Sequence, residues 1–427
     1  MRSSSRPDPR HDAGKTGSIP PAILTINGGS SSIRFALFAA GSARPAWTGR
    51  IDRIGLRGTN LAAADVTGRA TVARRVAASD HRTAAGFLLT WLEQQPFFPS
   101  IKAVGHRVVH GMHHSVPQRI TPALVAELRR ITPYDPEHLP RELELIEVFH
   151  RRHPALVQVA CFDTAFHRSM PRVARMLPIP RRFARQGVER YGFHGLSYAY
   201  LLEELTRLGD PAAKKGRVVL AHLGNGASLA AVRDGKSIDT SMGFTPAAGL
   251  VMSTRSGDLD PGILSFLSRR DRMTPVQFEH MVNHESGLLG ISGTSPDMRD
   301  LDARAATDAR AAEAIALFCY QAKKWIGAYA AALGGLDTLV FAGGIGENSP
   351  RIRARICAGL GFLGLGLDGR ANAHSAAVIS KPAAAVRVRV IRTNEELMIA
   401  RSVGRALGLP PGPGGPGRTK PHRQTTV

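Results

Sequence analysis

Residues 23–38 read I-L-T-I-N-G-G-S-S-S-I-R-F-A-L-F, and this stretch decides the fold. Two apolar runs flank a turn of Gly and Ser. Ile33, Phe35 and Leu37 recur at period two, as in a strand with one buried face. Gly28 and Gly29 tolerate left-handed backbone, and Ser30, Ser31 and Ser32 each add a hydroxyl beside an N–H. Clustered N–H groups in a small-residue turn make an anion nest. The stretch therefore reads either as a phosphate-binding hairpin or as an ordinary Gly/Ser turn. Residues 218–232, V-V-L-A-H-L-G-N-G-A-S-L-A-A-V, repeat the pattern of strand, Gly-rich turn and strand. Each copy runs on through a further turn, at Gly41 and at Asp234-Gly235, into a third strand, at 46–51 and at 237–240. Two similar units about two hundred residues apart predict a duplicated α/β fold, with phosphates held between paired hairpins.

Composition narrows the class. A chain of 427 residues has room for two or three domains, and 43% hydrophobic content suits a soluble globular protein. No apolar run approaches the roughly twenty residues of a membrane span. Cys161, Cys319 and Cys357 are widely spaced and odd in number, which predicts a reducing, cytoplasmic setting rather than disulfides or a thiolate metal site. The formal charge of +22 raises nucleic acid as a partner. The arginines are spread along the chain without interleaved aromatics, so an Arg-rich solvated surface that attracts small anions is the preferred reading. Residues 1–21 and 410–427 are polar, Pro-containing and predicted disordered. Gly14-Lys15-Thr16 is not a Walker A loop, because Pro9 stands where that motif needs Gly.

Between the hairpins, helices are predicted over 82–95, 121–130 (Thr121 as N-cap, Pro122 first), 140–150 and 197–208, and strands over 101–109 and 157–162. Beyond the second hairpin, 303–333 reads as one long helix, 338–341 and 385–391 as strands, and the segment from 393 as the start of a closing helix. Arg107, inside an apolar strand, needs either a carboxylate of the fold or an anionic ligand. Asp163 ends a strand, where α/β folds place chemistry and where an N-cap is also at home. Arg255, in S-T-R-S-G-D-L-D-P, either presents a free guanidinium or pairs with Asp258 and Asp260. Gly343, Gly344 and Gly346 open a helix whose first amides would face an anion or an adenine edge; Ser349 rules out a Rossmann fingerprint there.

Nine motifs occur in order: I-N-G-G-S-S-S-I-R, G-H-R-V-V-H-G, F-D-T-A-F-H, Y-G-F-H-G, H-L-G-N-G, T-R-S-G-D, D-M-R, G-G-I-G-E-N and T-N-E-E-L. Together they resemble the acetate kinase family over about residues 23–405. The resemblance implies two ribonuclease H-like lobes of the actin-like ATPase fold with a cleft between them, 22–163 completed by the closing helix at about 396–409, and 164–395. It implies a homodimer that transfers a phosphoryl group reversibly from ATP to acetate, giving acetyl phosphate and ADP, with Mg²⁺ (or Mn²⁺) and without nucleic acid or membrane. Propionate or butyrate kinase is the alternative on the same scaffold. By the same resemblance Arg107 and Arg255 hold the carboxylate and the moving phosphoryl, and His194 donates to it. The resemblance gives Asp163 an acid/base role, whereas the physical argument favours its orienting Arg255 or a metal-bound water; Asn27 and Glu395 position the metal. Val109, Phe193 and Pro246 line the methyl pocket. Arg34 and the turn His222, Leu223, Gly224, Asn225, Gly226 meet the phosphates. Asp297, Met298, Arg299 and Gly344, Ile345, Gly346, Glu347, Asn348 flank the nucleoside. Two departures stand out. Pro133-Tyr134-Asp135-Pro136-Glu137 replaces a common P-L-H-N-P, so Tyr134 takes the place of a pocket Leu and Asp135 (or His138, with a shifted loop) that of a His. Arg34 replaces a usual Lys.

Overall fold

The structure is a computed structural model that describes residues 20–409 apart from Ser30 and Arg69. The two predicted tails, and Ser30 of the first turn, lie outside the described residues or, for residues 20 and 21, at their edge. Strands β1 (Ala22–Gly28), β2 (Ser32–Ala39) and β3 (Trp47–Asp52) form an antiparallel meander, in which Asn27 faces Arg34 and Arg34 faces Arg50. It continues outward through β4 (Asn60–Asp65) and β5 (Ala70–Arg75). On the other side β6 (Ile101–Val108) runs parallel to β1, and β8 (Val157–Phe162) parallel to β6, with the short β7 (Gln118–Arg119) at the edge. In the second sheet β9 (Arg217–Leu223), β10 (Ala227–Arg233) and β11 (Lys236–Thr240) repeat the meander. Strand β12 (Thr338–Ala342) then runs parallel to β9, and β13 (Arg387–Val390) parallel to β12.

The duplication is visible as topology. The order β3-β2-β1-β6-β8 inside the first sheet matches β11-β10-β9-β12-β13 in the second. Within these five strands both sheets have two antiparallel and then two parallel pairings in the same succession. Strands β4 and β5 were not foreseen. Their alternation is weak, because Ala fills half of β4, where only Leu61 and Ala63 are buried.

Helix His81–Glu93, capped by Asp80, and helix Leu139–Arg152 cover one face of the first sheet, burying Leu88, Leu89, Leu92, Leu145 and Phe149. Helix Pro122–Arg130 has the anticipated cap, with Thr121 Oγ1 accepting from Leu124 N–H at 3.2 Å. The chain closes with helix Glu395–Ala406, which returns to the first sheet. There Leu397, Ile399 and Val403 pack on Ile23, Phe38, Ala103 and Val159. The long Ala-rich segment is two helices, Met298–Arg304 and Ala309–Leu333. Asp308 stops a continuous helix, because its carboxylate caps Arg310 and Ala311 N–H.

Candidate active site

Each hairpin turn lies against one arginine, Gly28 against Arg107 and Gly226 against Arg255. In the first lobe the Gly29 N–H closes on the Ser32 carbonyl at 2.7 Å, so that amide is not free for an anion. His81 Nε2 holds the Gly29 carbonyl at 2.8 Å, and the Gly28 carbonyl accepts from Arg107 Nη1 at 3.0 Å. Arg107 projects from β6 and meets the end of β8. Its Nε and Nη2 donate to Asp163 Oδ2 at 2.9 and 2.6 Å. Burial works against the Arg107 charge, but Asp163, Glu395 and Glu142 outweigh it and hold the guanidinium protonated. The fold therefore satisfies Arg107. Asp163 orients this arginine and not Arg255, contrary to the expectation above. Burial, together with the Glu395 carboxylate, raises the pKa of Asp163. Its second oxygen, Oδ1, has no partner among the described residues.

The second lobe treats its arginine differently. Arg255 is half-buried, and the only hydrogen bond of its guanidinium among the described residues runs from Nη1 to the Pro246 carbonyl at 2.7 Å. Asp258 and Asp260 instead accept from the backbone N–H groups of Gly249 and Gly262, so the surface-loop pairing does not form. Burial pulls the Arg255 pKa down to about 10, and Asp135 offsets part of this. Gly226 brings the second turn against it. A Cβ there would lie 2.9 Å from Arg255 Nη2 and 3.1 Å from His194 Nε2.

His194 sits in the left-handed region (φ 59°) as the N-cap of helix Gly195–Arg207. A side chain at Gly195 would collide with the Asp163 carbonyl, 1.9 Å from the required Cβ, so the Y-G-F-H-G motif has a steric reason. Burial, followed by His222 and Arg255, pushes the His194 pKa well down, leaving a neutral ring. Its Nδ1 lies 2.8 Å from Ser228 Oγ, which lies 2.5 Å from Tyr198 Oη. If Tyr198 donates to Ser228 and Ser228 to His194 Nδ1, the ring proton sits on Nε2, the nitrogen facing Gly226. The His222 ring stacks on His194 at 4.3 Å, and its Nδ1 is held by Ser197 Oγ at 2.8 Å.

Asn27 Nδ2 donates to Glu395 Oε2 at 2.9 Å, tying β1 to the start of the closing helix. Burial opposes the Glu395 charge, but Arg107, His222 and Asn27 prevail and keep it ionised. An amide oxygen, an ionised carboxylate and the orphaned Asp163 Oδ1 form a hard-oxygen donor set suited to Mg²⁺.

A cavity of about 290 Å³ lies beside Arg255, lined by Glu137, His138, Asn225, Ser253, Thr254, Asn283, His284 and Asp297 among others. Of the foreseen nucleotide residues, Asn225 and Asp297 reach it. Asp297 caps helix Met298–Arg304 and binds the exposed Arg299, while Met298 and Leu223 are buried. Gly224 lies against Gly344 N, so the two Gly turns meet. The expectation that the helix Gly343–Asn348 offers its first amide to a ligand does not hold for Gly343. That N–H, like Thr393 N–H, is taken by Glu347 Oε1 at 3.0 Å. Gly346 is buried, Ile345 packs on the core, and Asn348 bonds back to the Gly344 carbonyl. Arg34 is exposed, opposite Asn27 on the neighbouring strand and in a groove with Arg50, Asn394 and Glu396, and its charge acts on Glu395 and His222.

Val109 and Phe193 are buried, and Pro246 is fixed by Arg255. The Tyr134 hydroxyl donates to the Gln186 carbonyl, and its ring lies 5.5 Å from Phe244 and 5.9 Å from His110. Asp135 is buried and accepts from His138 N–H and Nδ1 at 3.1 and 3.0 Å. Sequence reasoning missed Glu142, whose Oε2 accepts from Val109 N–H at 2.9 Å. Burial raises it to about 8. It also missed His110 and the Ser228–Tyr198 pair. An inward Glu in an amphipathic helix was the one available signal.

Residues 22–401 match the sequence profile of the acetokinase family. The chain belongs to that family. It is similar to a propionate kinase of Escherichia fergusonii, 44% identical over 395 residues, covering 91% of this chain and 97% of that one. It is equally similar to an acetate kinase of Rhodopseudomonas palustris, 44% identical over 393 residues, covering 90% and 98%. Among solved structures it resembles acetate kinase from Porphyromonas gingivalis (TM-score 0.82, 36% identity, covering 91% and 100%). It also resembles a propionate kinase from Francisella tularensis (TM-score 0.84, 36% identity, covering 90% and 98%). This acetokinase is thus a phosphotransferase with a carboxyl group as acceptor, on the actin-like ATPase fold. No helix among the described residues is long and apolar enough to cross a membrane, and all three cysteines are buried free thiols.

Proposed function

We propose that this chain is an acetate kinase, transferring a phosphoryl group reversibly from ATP to acetate. The observation that carries this reading is Arg255, a half-buried guanidinium with no carboxylate in hydrogen-bond contact among the described residues, set beside the neutral His194 and the Gly226 turn. A permanent cation without a direct ion pair, facing a cavity, is poised for an anion. The acceptor carboxylate is ionised at pH 7, so it needs no strong base. The difficulty is bringing an anion to an anionic phosphate, and positioning plus charge neutralisation answer it. Arg255 holds the carboxylate and the moving phosphoryl. Arg107, oriented by Asp163, adds positive potential from the first lobe. His194 Nε2–H donates to an equatorial oxygen.

Asn27, Glu395 and the free oxygen of Asp163 would hold Mg²⁺, which when bound neutralises phosphate charge. The phosphates lie along His222–Gly226, and the nucleoside between Asp297–Arg299 and Gly344–Asn348. Val109, Phe193, Pro246 and Tyr134 line a small acyl pocket. Two lobes, 22–163 with the closing helix and 164–395, enclose the cleft. A homodimer in the cytoplasm is part of the proposal. Helix Gly262–Asp271 buries none of its own residues, and Leu259, Phe266 and Val276 are 44%, 51% and 75% exposed along that segment. Sedimentation should report twice the chain mass. Propionate is the second reading, favoured by relatives of that name at equal identity. Acyl hydroxamate formation from ATP, hydroxylamine and a series of acids tests both. No hydroxamate from any acid would overturn the assignment.

A further inference from the structure

His113 and His114 follow β6 by a short loop and take no part in the site described above. Both imidazoles turn to one carboxylate oxygen. His114 Nε2 lies 3.2 Å, and His113 Nδ1 3.9 Å, from Oε1 of Glu127 on helix Pro122–Arg130. The two rings lie side by side, 4.4 Å apart between centres and tilted by 34°. The three ligand atoms fall within 4.8 Å of one another, and these residues are the one such group of His, Cys, Asp or Glu among the described residues. Two of the three are held in place by the fold. The His114 side chain is 15% exposed, its ring stacks on Phe162 at 5.1 Å and 11°, and its N–H closes on the Gly111 carbonyl at 2.8 Å. Glu127 rides on a helix fixed by the Thr121 cap and by Leu124 and Leu128 in the core. His113, 72% exposed, is free to adjust.

A hydrogen bond accounts for His114 on Glu127. It does not account for His113, which at 3.9 Å makes none. Two consecutive side chains turned on one oxygen are what a shared ion requires. A tetrahedral ion with bonds of about 2.0–2.1 Å spaces its ligand atoms about 3.3–3.4 Å apart. The His114–Glu127 pair fits that spacing as it stands, and a small turn of His113 closes the rest. Imidazole nitrogens with one carboxylate suit Zn²⁺ and its transition-metal neighbours, whereas Mg²⁺ takes oxygen donors. We propose that His113, His114 and Glu127 form a second metal site, which takes a divalent transition-metal ion, Zn²⁺ foremost, with water completing its shell. Each imidazole binds through a lone pair, with its ring proton on the other nitrogen, and the ion replaces the His114–Glu127 hydrogen bond. The site is chemically distinct from the hard-oxygen set of Asn27, Glu395 and Asp163. Its ion clips the loop after β6 to helix Pro122–Arg130, and that loop begins at Val109 of the acyl pocket.

The full chain, stripped of metal, is titrated with Zn²⁺ against a chromophoric chelator while millimolar Mg²⁺ is present. The wild type should hold a tight Zn²⁺ that the double variant His113→Ala/His114→Ala binds about tenfold or more weakly, since loss of even an outer-shell partner costs that much. Glu127→Gln should weaken it comparably. Co²⁺ in place of Zn²⁺ should give visible ligand-field bands that the double variant lacks. Two controls should keep the ion. One is Glu395→Gln, in the hard-oxygen set. The other is His280→Ala, in a second histidine pair whose rings lie 4.8 Å apart. A wild type that holds no Zn²⁺ against the chelator overturns the proposal, whether or not any variant folds. So does equal Zn²⁺ affinity in the wild type and the folded double variant, or displacement of the ion by Mg²⁺. Loss of the ion in Glu395→Gln or His280→Ala, with the double variant unaffected, places the metal elsewhere and likewise defeats it.

Discussion

Arg107 lies on the first sheet and Arg255 in a loop beyond the second hairpin, yet the fold treats them in opposite ways. Arg107 is tied to Asp163 and to the Gly28 carbonyl, and its charge is reinforced. Arg255 has a single backbone partner among the described residues and is weakened by burial. The first is compensated by the protein and serves the architecture as well as the chemistry. The second lacks compensation that only an anionic ligand supplies. An arginine in an apolar setting is therefore not one signal but two, and the partner decides which.

The largest expected effect tests the uncompensated member. Arg255→Ala should lower kcat by about 10³ to 10⁴, as removal of a preorganised charged donor does. Its melting temperature should hold or rise, because a half-buried cation without an ion pair is removed. Arg255→Lys should recover only part of the rate, since an ammonium lacks the planar fork. Wild-type kcat in Arg255→Ala would abolish the contrast.

Arg107→Ala should cost less in rate, about 10²-fold. It should cost more in stability, about 3–5 kcal/mol, because Asp163 is left buried and unpaired. Denaturant melts of the two alanine variants therefore separate the roles, and equal stability losses would erase the distinction.

A smaller effect sharpens the Arg107 side. Glu142, near Arg107, has its pKa raised by burial to about 8 in the folded state. The unfolded chain releases this proton at lower pH than the folded one does. Stability should therefore fall as pH rises from the ordinary glutamate range through about 8. Glu142→Gln should flatten that slope in thermal melts between pH 5 and 8.5, and an unchanged slope would show that Glu142 ionises normally.

The smallest effect lies at the rim on the Arg255 side. Tyr134→Leu should raise kcat/KM for propionate relative to acetate, by at most the roughly 1–3 kcal/mol that one methylene is worth. Tyr134→Phe removes only the bond to the Gln186 carbonyl and should move the ratio less. An unmoved ratio in Tyr134→Leu would place the ring outside the acyl pocket.

By itself the sequence determined the parts whose signals are local. Period-two apolar alternation and Gly turns announced both hairpins, and the second sheet repeats the first in strand order. Thr121-Pro122 announced a helix start, because a cap acts within one turn. The ordered motifs determined the family. Tertiary structure alone decided the pairings. Arg107 reaches a carboxylate 56 positions away, and Asn27 meets Glu395 across 368 positions. Spacing along the chain carries no record of such contacts, which arise when strands and the closing helix dock. Nothing in S-T-R-S-G-D-L-D-P tells whether Arg255 binds its neighbouring aspartates. The backbone amides of Gly249 and Gly262 claimed those carboxylates first, and that left the guanidinium to the cleft.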